Sequence, residues 1–163
     1  MNHEASTAER TLVFLLRMAM AWIFLYAASQ QVLDPGWSVT GFLTQTRTFH
    51  GLFSLFTGPD TAPVTTFLVE YGHLLIGLSL LTGLLVRVSS IAGIGLMLLY
   101  WMAHMNFPYI SSTTNLLVDE HVVYGLVLGL LIARHAGHVW GLDAWVSNNI
   151  VDARHKFLGW ATA

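Results

Sequence analysis

Four long apolar stretches dominate the chain, and polar residues, glycine or proline bound each of them. They cover roughly residues 11–33, 64–86, 88–107 and 116–133. A run of about 20 apolar residues is long enough to cross the hydrocarbon core of a bilayer as a helix. The pattern therefore predicts an all-α integral membrane protein, a four-helix bundle in a single transmembrane domain spanning 1–163.

Two further segments, about 37–57 and 139–160, mix bulky apolar residues with polar ones. The first is too long for a structureless connection, and the second carries Trp140, Trp145 and Trp160. Tryptophan favours the headgroup level of a membrane. We therefore predict an interfacial amphipathic segment between the first two spans, lying in the interface or folding back onto the bundle, and an interfacial C-terminal helix.

Composition supports a membrane protein. Of 163 residues, 55% are hydrophobic and only 10% are charged, whereas a soluble domain carries about 25% charged residues. The formal net charge is -2 and no block of Lys and Arg is present. The expected partners are therefore the lipid bilayer and other membrane proteins, and not nucleic acid.

Cysteine is absent from the chain. Its absence excludes a cysteine-ligated iron–sulfur cluster, covalent c-type haem and thiol chemistry within this chain. Electron transfer here would need a quinone, a His- or Glu-bound metal, non-covalent haem, or a partner subunit.

Basic residues predict the orientation. One side of the predicted bundle carries Arg10, Arg87, Arg134, Arg154 and Lys156, and the other side carries Arg47. The positive-inside rule then places both termini in the cytoplasm of a multi-pass protein of the cell (plasma) membrane.

The candidate site consists of polar residues spaced about one helical turn apart near the extracytoplasmic ends of the predicted spans. A charged group in hydrocarbon costs about 2.5–3.5 kcal/mol, so it needs a partner or a function. The pairs are Glu70 with His73, Tyr100 with His104, Glu120 or His121 with Tyr124, and Tyr26 with Gln30.

These residues fit several sites. In a quinone site, Glu70, Glu120 and Tyr124 are the candidate catalytic groups that move protons, and the cofactor-binding candidates are His73, His104, His121, Tyr100 and Tyr26. Haem b or a mononuclear metal held by the histidines is an alternative, as is a dinuclear metal site, although only one Glu-x-x-His motif is clear. A purely structural hydrogen-bond cluster is the remaining interpretation.

Two other features concern packing. Arg17 lies inside the first span with no acidic residue at its depth, so we expect its side chain to snorkel to the cytoplasmic surface or to contact a phospholipid, rather than to pair within the bundle. Gly125 and Gly129 form a G-x-x-x-G motif, and Ser89 and Gly93 have the same spacing. Both pairs predict close helix packing, within the bundle in preference to a subunit interface.

The order and spacing of several short motifs resemble the DoxX/DoxD family of small four-helix membrane proteins. They are Leu16-Arg17, Phe24-Leu25-Tyr26-Ala27, Leu33-Asp34-Pro35-Gly36-Trp37, Gly41-Phe42-Leu43, Gly72-x-Leu74-Leu75-x-Gly77, Gly83-Leu84-Leu85-x-Arg87, Asp119-Glu120-His121 with Tyr124, and Trp140-Gly141-Leu142-Asp143. The resemblance covers about residues 11–146. It departs at Gln31, where the family usually has Lys, and at His73, where the family usually has Glu, so this chain would lack a buried ion pair.

The resemblance implies a redox-linked membrane subunit, because members are associated with thiosulfate:quinone oxidoreduction and with respiratory or oxidative-stress complexes. Two functions follow as hypotheses. The first is a membrane-embedded subunit of a quinone-linked respiratory complex, in which the polar cluster is the quinone or cofactor site. The second is a non-catalytic subunit that anchors or assembles a larger membrane complex. Whether the chain is itself an enzyme stays open between them.

Overall fold

The computed structural model describes residues 6–103, 106–109, 118–151 and 156–162. Within these residues the chain is helical, with one isolated bridge between Asn106 and Tyr109 and no β-strand, as the all-α prediction requires. The helices are α1 (Thr7–Val32), α2 (Thr40–Leu43), α3 (His50–Phe53), α4 (Ala62–Thr82), α5 (Val86–Met102), α6 (Glu120–Ala133), α7 (Leu142–Asn149) and α8 (Lys156–Ala161). Two 3₁₀ turns cover Ser54–Phe56 and Ala136–His138.

Two of these helices are long and apolar enough to cross a bilayer. They are α1, with 26 residues, and α4, with 21. At 1.5 Å per residue these helices measure about 39 Å and 32 Å, against a hydrocarbon core of about 30 Å. The helices α5 and α6 are apolar but shorter, with 17 and 14 residues.

The bundle consists of two closely packed helix pairs, α1 with α4 and α5 with α6. Small residues permit both approaches. A Cβ atom added at Gly77 would lie 2.7 Å from Leu25 Cγ, and one at Gly93 would lie 2.8 Å from Leu128 Cδ1. The prediction of close packing is therefore confirmed at Gly93. It is wrong for Gly125 and Gly129, where an added Cβ would meet no atom of the described residues within 4 Å.

The segment between α1 and α4 folds back onto the bundle. The predicted amphipathic stretch is not one helix but α2, α3 and a 3₁₀ turn. Its buried residues Val39, Leu43 and Phe53 form a small core with Ala103, which follows α5. The segment therefore covers the first half of α4 and the end of α5.

The C-terminal segment also differs from the single interfacial helix predicted, because it forms the short helices α7 and α8. Arg87 Nη1 donates to the Trp160 carbonyl at 3.0 Å, and the hydroxyls of Ser147 and Thr162 lie 3.0 Å apart. His138 also hydrogen-bonds to the Thr162 carbonyl. These bonds fix α8 against the start of α5 and the α6–α7 connection.

Arg17 does not snorkel, and that prediction is wrong. Its side chain is completely buried, Nη1 donates to the Ala136 carbonyl at 2.9 Å, and Nη2 donates to the Trp140 carbonyl at 3.2 Å. Both carbonyls lie in the connection after α6, where the last carbonyls of a helix and its following turn need donors. Arg17 therefore joins the middle of α1 to a segment about 120 residues later.

Asp143 completes this buried cluster. Its Oδ1 accepts from Leu85 N at 2.6 Å and its Oδ2 accepts from Val86 N at 3.1 Å. The carboxylate thus satisfies the first N–H groups of α5, which is where negative charge stabilises a helix. Burial raises the pKa of the Asp143 carboxyl group, while these N–H donors, His138 and Arg17 oppose that rise. We call Arg17, Asp143 and their backbone partners the Arg17 cluster.

Gly137 should tolerate no side chain, because it packs against the Arg17 cluster. A Cβ atom there would lie 2.6 Å from Asp143 Cγ. Overpacking of this kind costs about 1–3 kcal/mol, so Gly137→Ala should lower the free energy of unfolding by that amount in detergent. Gly125→Ala is the control, since its Cβ would meet no described neighbour and alanine favours a helix over glycine. Equal thermal unfolding curves for the two variants would contradict this packing.

Candidate functional site

A cavity of about 290 Å³ opens between α1, α4, α5 and α6, at the end of the bundle opposite the Arg17 cluster. We call it the polar cavity, because six of its ten lining residues are polar or titratable. The lining residues are Ile23, Phe24, Ala27, Gln31, His73, Met97, Tyr100, Glu120, His121 and Tyr124.

Four helices bring these side chains together. Gln31 lies in the last turn of α1 and Tyr100 near the end of α5, whereas Glu120 and His121 begin α6. His73 lies near the middle of α4, one face of which packs on α1. Because α6 runs antiparallel to α5, its first turn meets the last turns of α1 and α5 around one space.

Tyr100 stands at the centre of the site. Its ring lies parallel to that of His121, with an interplanar angle of 3° and 5.4 Å between centroids. The ring centroids of His73 and Phe42 lie 5.7 Å and 5.4 Å away. Gln31 and Tyr100 both line the cavity. One phenol therefore lies among α1, α4, α6 and the fold-back segment, which is the stretch between α1 and α4.

Asp119 fixes the ring of His121. Asp119 is 4% exposed and caps the N-terminus of α6, where its Oδ1 accepts from His121 N at 2.8 Å. The same oxygen accepts from His121 Nδ1 at 2.6 Å. Because the carboxylate is the acceptor, Nδ1 carries the hydrogen, and in the neutral ring Nε2 carries the lone pair. Sequence reasoning missed Asp119 as a site residue, although Asp before an apolar run is a helix-start signal.

His73 is fixed in the same way by backbone. Its Nδ1 lies 2.8 Å from the Val69 carbonyl, which can only accept, so Nδ1 is the donor. The neutral ring then carries its lone pair on Nε2. The side chain is 4% exposed and packs against Phe24, with 5.7 Å between ring centroids. When the ring is neutral, His73 Nε2 is thus an acceptor beside the apolar ring of Phe24.

Gln31 carries an unsatisfied acceptor. The residue is 8% exposed, and its Oε1 meets no hydrogen-bond donor among the described residues. A buried amide oxygen without a donor costs free energy, so such groups in native proteins need a water, an ion or a ligand. Gln31 and His73 are also the two departures from the family pattern noted above, and both line the polar cavity.

The structure brings five of the eight predicted site residues together, namely His73, Tyr100, Glu120, His121 and Tyr124. Tyr26 and Glu70 do not line the polar cavity. Tyr26 is 57% exposed and its ring lies 6.1 Å from that of Trp22, because it is five residues from Gln31 and so faces away from it on α1. Glu70 is partly exposed, one turn before His73. His104 lies outside the described residues.

The two imidazole rings of the cavity are held in place through Nδ1. The Nδ1 atoms of His73 and His121 are engaged by Val69 and Asp119, an arrangement that orients Nε2 whether the ring meets a hydrogen-bonding ligand or a metal. Among the described residues, no group of three or more His, Asp and Glu side chains is placed to hold one ion.

Comparison with known proteins gives one result. The model of the DoxX family matches residues 12–106 of the chain. The match contains Arg17, Gln31, His73 and Tyr100, and it ends before α6 with Asp119 and His121. No curated protein matches the chain, and no solved structure matches it.

Proposed function

The chain belongs to the DoxX family, and from this premise we propose that it is a membrane-embedded subunit of a quinone-linked redox complex. The family and the two long apolar helices indicate a membrane protein. We propose further that α1, α4, α5 and α6 cross the bilayer with the termini on the cytoplasmic side. The polar cavity then lies toward the extracytoplasmic leaflet.

The observation that carries this proposal is the unsatisfied Oε1 of Gln31 in the polar cavity. A ligand that supplies a hydroxyl group would satisfy it. The volume of the cavity, about 290 Å³, lies just below the range for small-molecule sites, about 300–1,000 Å³. A single ring flanked by the aromatic walls of Phe24 and Tyr100 suits such a space.

The hydrogen-bond acceptors of the site favour the reduced form of the ligand, the quinol. Gln31 Oε1 and His73 Nε2 are acceptors, and Glu120 adds an acceptor when it is ionised. A quinol presents two hydroxyl donors to such a wall, whereas a quinone presents only acceptors. We therefore propose that the polar cavity binds the quinol form more tightly than the quinone form.

The residues of the cavity would handle protons. A bound quinol supplies two electrons and two protons when it becomes a quinone, and it takes both up in the reverse reaction. His121, oriented by Asp119, exchanges one proton through Nε2. Glu120 and Tyr124 lie beside it on α6 and would pass protons toward the aqueous surface. In the proposed complex, a redox cofactor of a partner subunit would accept or supply the two electrons.

Removing the Gln31 acceptor tests the proposal. Gln31→Met keeps a side chain of similar length, and Gln30→Met is the matched control because Gln30 is its exposed neighbour on α1. Losing a hydrogen bond in a buried site costs about 1–3 kcal/mol, so the dissociation constant of a benzoquinol should rise about tenfold. It should stay unchanged in Gln30→Met. Equal affinity in both variants, or no binding to the native protein, would refute a quinol site at this cavity.

The alternative function is a non-catalytic subunit that anchors or assembles a larger membrane complex. It is favoured by one face of α6, where Gly125 and Gly129 have no described neighbour and Leu126 is 71% exposed. Small residues of this spacing permit close contact with a helix of another protein. This alternative predicts full quinone turnover of the intact complex when Gln31 is replaced.

A further inference from the structure

A second cavity shares Tyr100 with the polar cavity. Its volume is about 270 Å³, and it lies between the fold-back segment and the helices α4 and α5. We call it the apolar cavity, since all its lining residues except Thr65 and Tyr100 are apolar.

Tyr100 is shared by the two cavities. It lines both of them, with the Phe42 ring 5.4 Å away toward the apolar cavity and the His121 ring 5.4 Å away toward the polar cavity. The two spaces therefore meet at one side chain. A polar space and an apolar space in direct succession are complementary to a molecule with a polar head and an apolar tail.

The outer rim of the apolar cavity lies on the bundle surface. Leu68 on α4 is 63% exposed and Leu99 on α5 is 49% exposed, and both line the cavity. In a bilayer these side chains would contact hydrocarbon. A tail that enters from the lipid between α4 and α5 would thus remain in apolar surroundings along its whole length.

We propose that the apolar cavity holds the beginning of the isoprenoid tail of the same quinol whose ring occupies the polar cavity. This inference rests on the proposed function and deepens it, since it assigns the ligand as a tailed, membrane-dissolved quinol. Tyr100 lies where ring and tail join. Phe42, Leu68 and Leu99 contact the tail, and Gln31 and His73 contact the ring.

The test fills the apolar cavity and leaves the polar one intact. Leu68→Trp places a large aromatic ring at the rim of the apolar cavity. Leu75→Trp is the matched control, because Leu75 lies two turns further along α4, is 65% exposed and does not line this cavity. Two probes are compared in detergent, a benzoquinol with a decyl tail and the same ring without a tail. The ratio of variant to native dissociation constant for each probe cancels its partitioning into detergent.

Leu68→Trp should raise the dissociation constant of the tailed probe about tenfold by steric exclusion and leave that of the tail-less probe unchanged. Leu75→Trp should change neither value. Leu99→Trp gives the same comparison from α5 if Leu68→Trp fails to fold.

Three results would overturn the inference in distinguishable ways. If Leu68→Trp and Leu99→Trp weaken neither probe, the tail lies elsewhere, although the ring site stands. If neither probe binds the native protein, the proposed function fails as well. If the native protein retains a phospholipid that Leu68→Trp releases, without any change in binding of the tailed probe, the apolar cavity is a lipid site.

Discussion

Replacing Arg17 by Met should cost the protein most of its stability, more than any change in the polar cavity. The guanidinium is completely buried and donates to the carbonyls of Ala136 and Trp140. Methionine would leave both acceptors without their donor and would remove a positive charge near the buried Asp143 carboxylate. A hydrogen bond to a charged group contributes about 1.5–3 kcal/mol, so the loss of two should shift thermal unfolding in detergent strongly downward, or no folded protein should be recovered.

Arg10→Met is the control for this substitution. Arg10 lies two turns earlier on α1 and is exposed, so its loss should change stability by less than 1 kcal/mol. Coupling gives a second readout, because Asp143→Asn should cost less in the Arg17→Met background than in the native protein. Additive effects of the two substitutions, or a normal unfolding temperature for Arg17→Met, would show that the Arg17 cluster is not what joins α1 to the C-terminal segment.

The contacts of Arg17 could not be predicted from the sequence, although the long helices could. The apolar stretches predict the long helices because a run of 20 apolar residues has few other stable forms. The partners of Arg17 are backbone carbonyls at positions 136 and 140, and no pattern of side chains reveals a carbonyl that needs a donor. The motifs that contain Gly83 and Asp143 could be recognised one by one, but their convergence near Arg17 is a tertiary fact.

The candidate site, too, could be predicted from the sequence only in part. The cost of burying polar groups predicts His73, Tyr100 and His121 from sequence, because each interrupts an apolar helix. Which of these residues share a space depends on the rotation of each helix. Tyr26 was predicted for the site and faces outward, whereas Gln31, five residues later, faces the cavity. Without the packing of α1 on α4, the sequence cannot distinguish the two.

The fold-back segment shows a third limit. Its composition predicts an amphipathic helix, yet the chain forms α2, α3 and a 3₁₀ turn there. Gly58 and Pro59 favour a turn at the end of this stretch. The same segment provides Phe42 and Phe53, which close one side of the apolar cavity. The property that matters for the proposed ligand is thus the path of an irregular segment, which periodicity does not determine.

Replacing His121 by Phe should abolish quinol turnover by the complex that contains this chain while leaving the fold intact. Phenylalanine keeps an aromatic ring to stack on Tyr100, where the native rings lie 5.4 Å apart and parallel. It removes Nε2, the nitrogen through which we propose that a proton leaves the quinol. Proton transfer by a positioned side chain contributes about 10²–10⁴-fold to a rate, so turnover in native membranes should fall at least about a hundredfold.

The comparison with Asp119 and His50 makes this prediction specific to proton transfer. Asp119→Asn keeps an oxygen that can cap α6 and accept from His121, but it removes the negative charge beside the ring. It should therefore lower turnover less than His121→Phe does. His50→Phe changes an exposed histidine in α3 and should leave turnover unchanged. Affinity for the quinol should change much less than turnover in His121→Phe, because Gln31 and His73 still provide acceptors. If the complex assembles normally and His121→Phe retains full turnover, the polar cavity is structural, and the anchoring function becomes the better account of this chain.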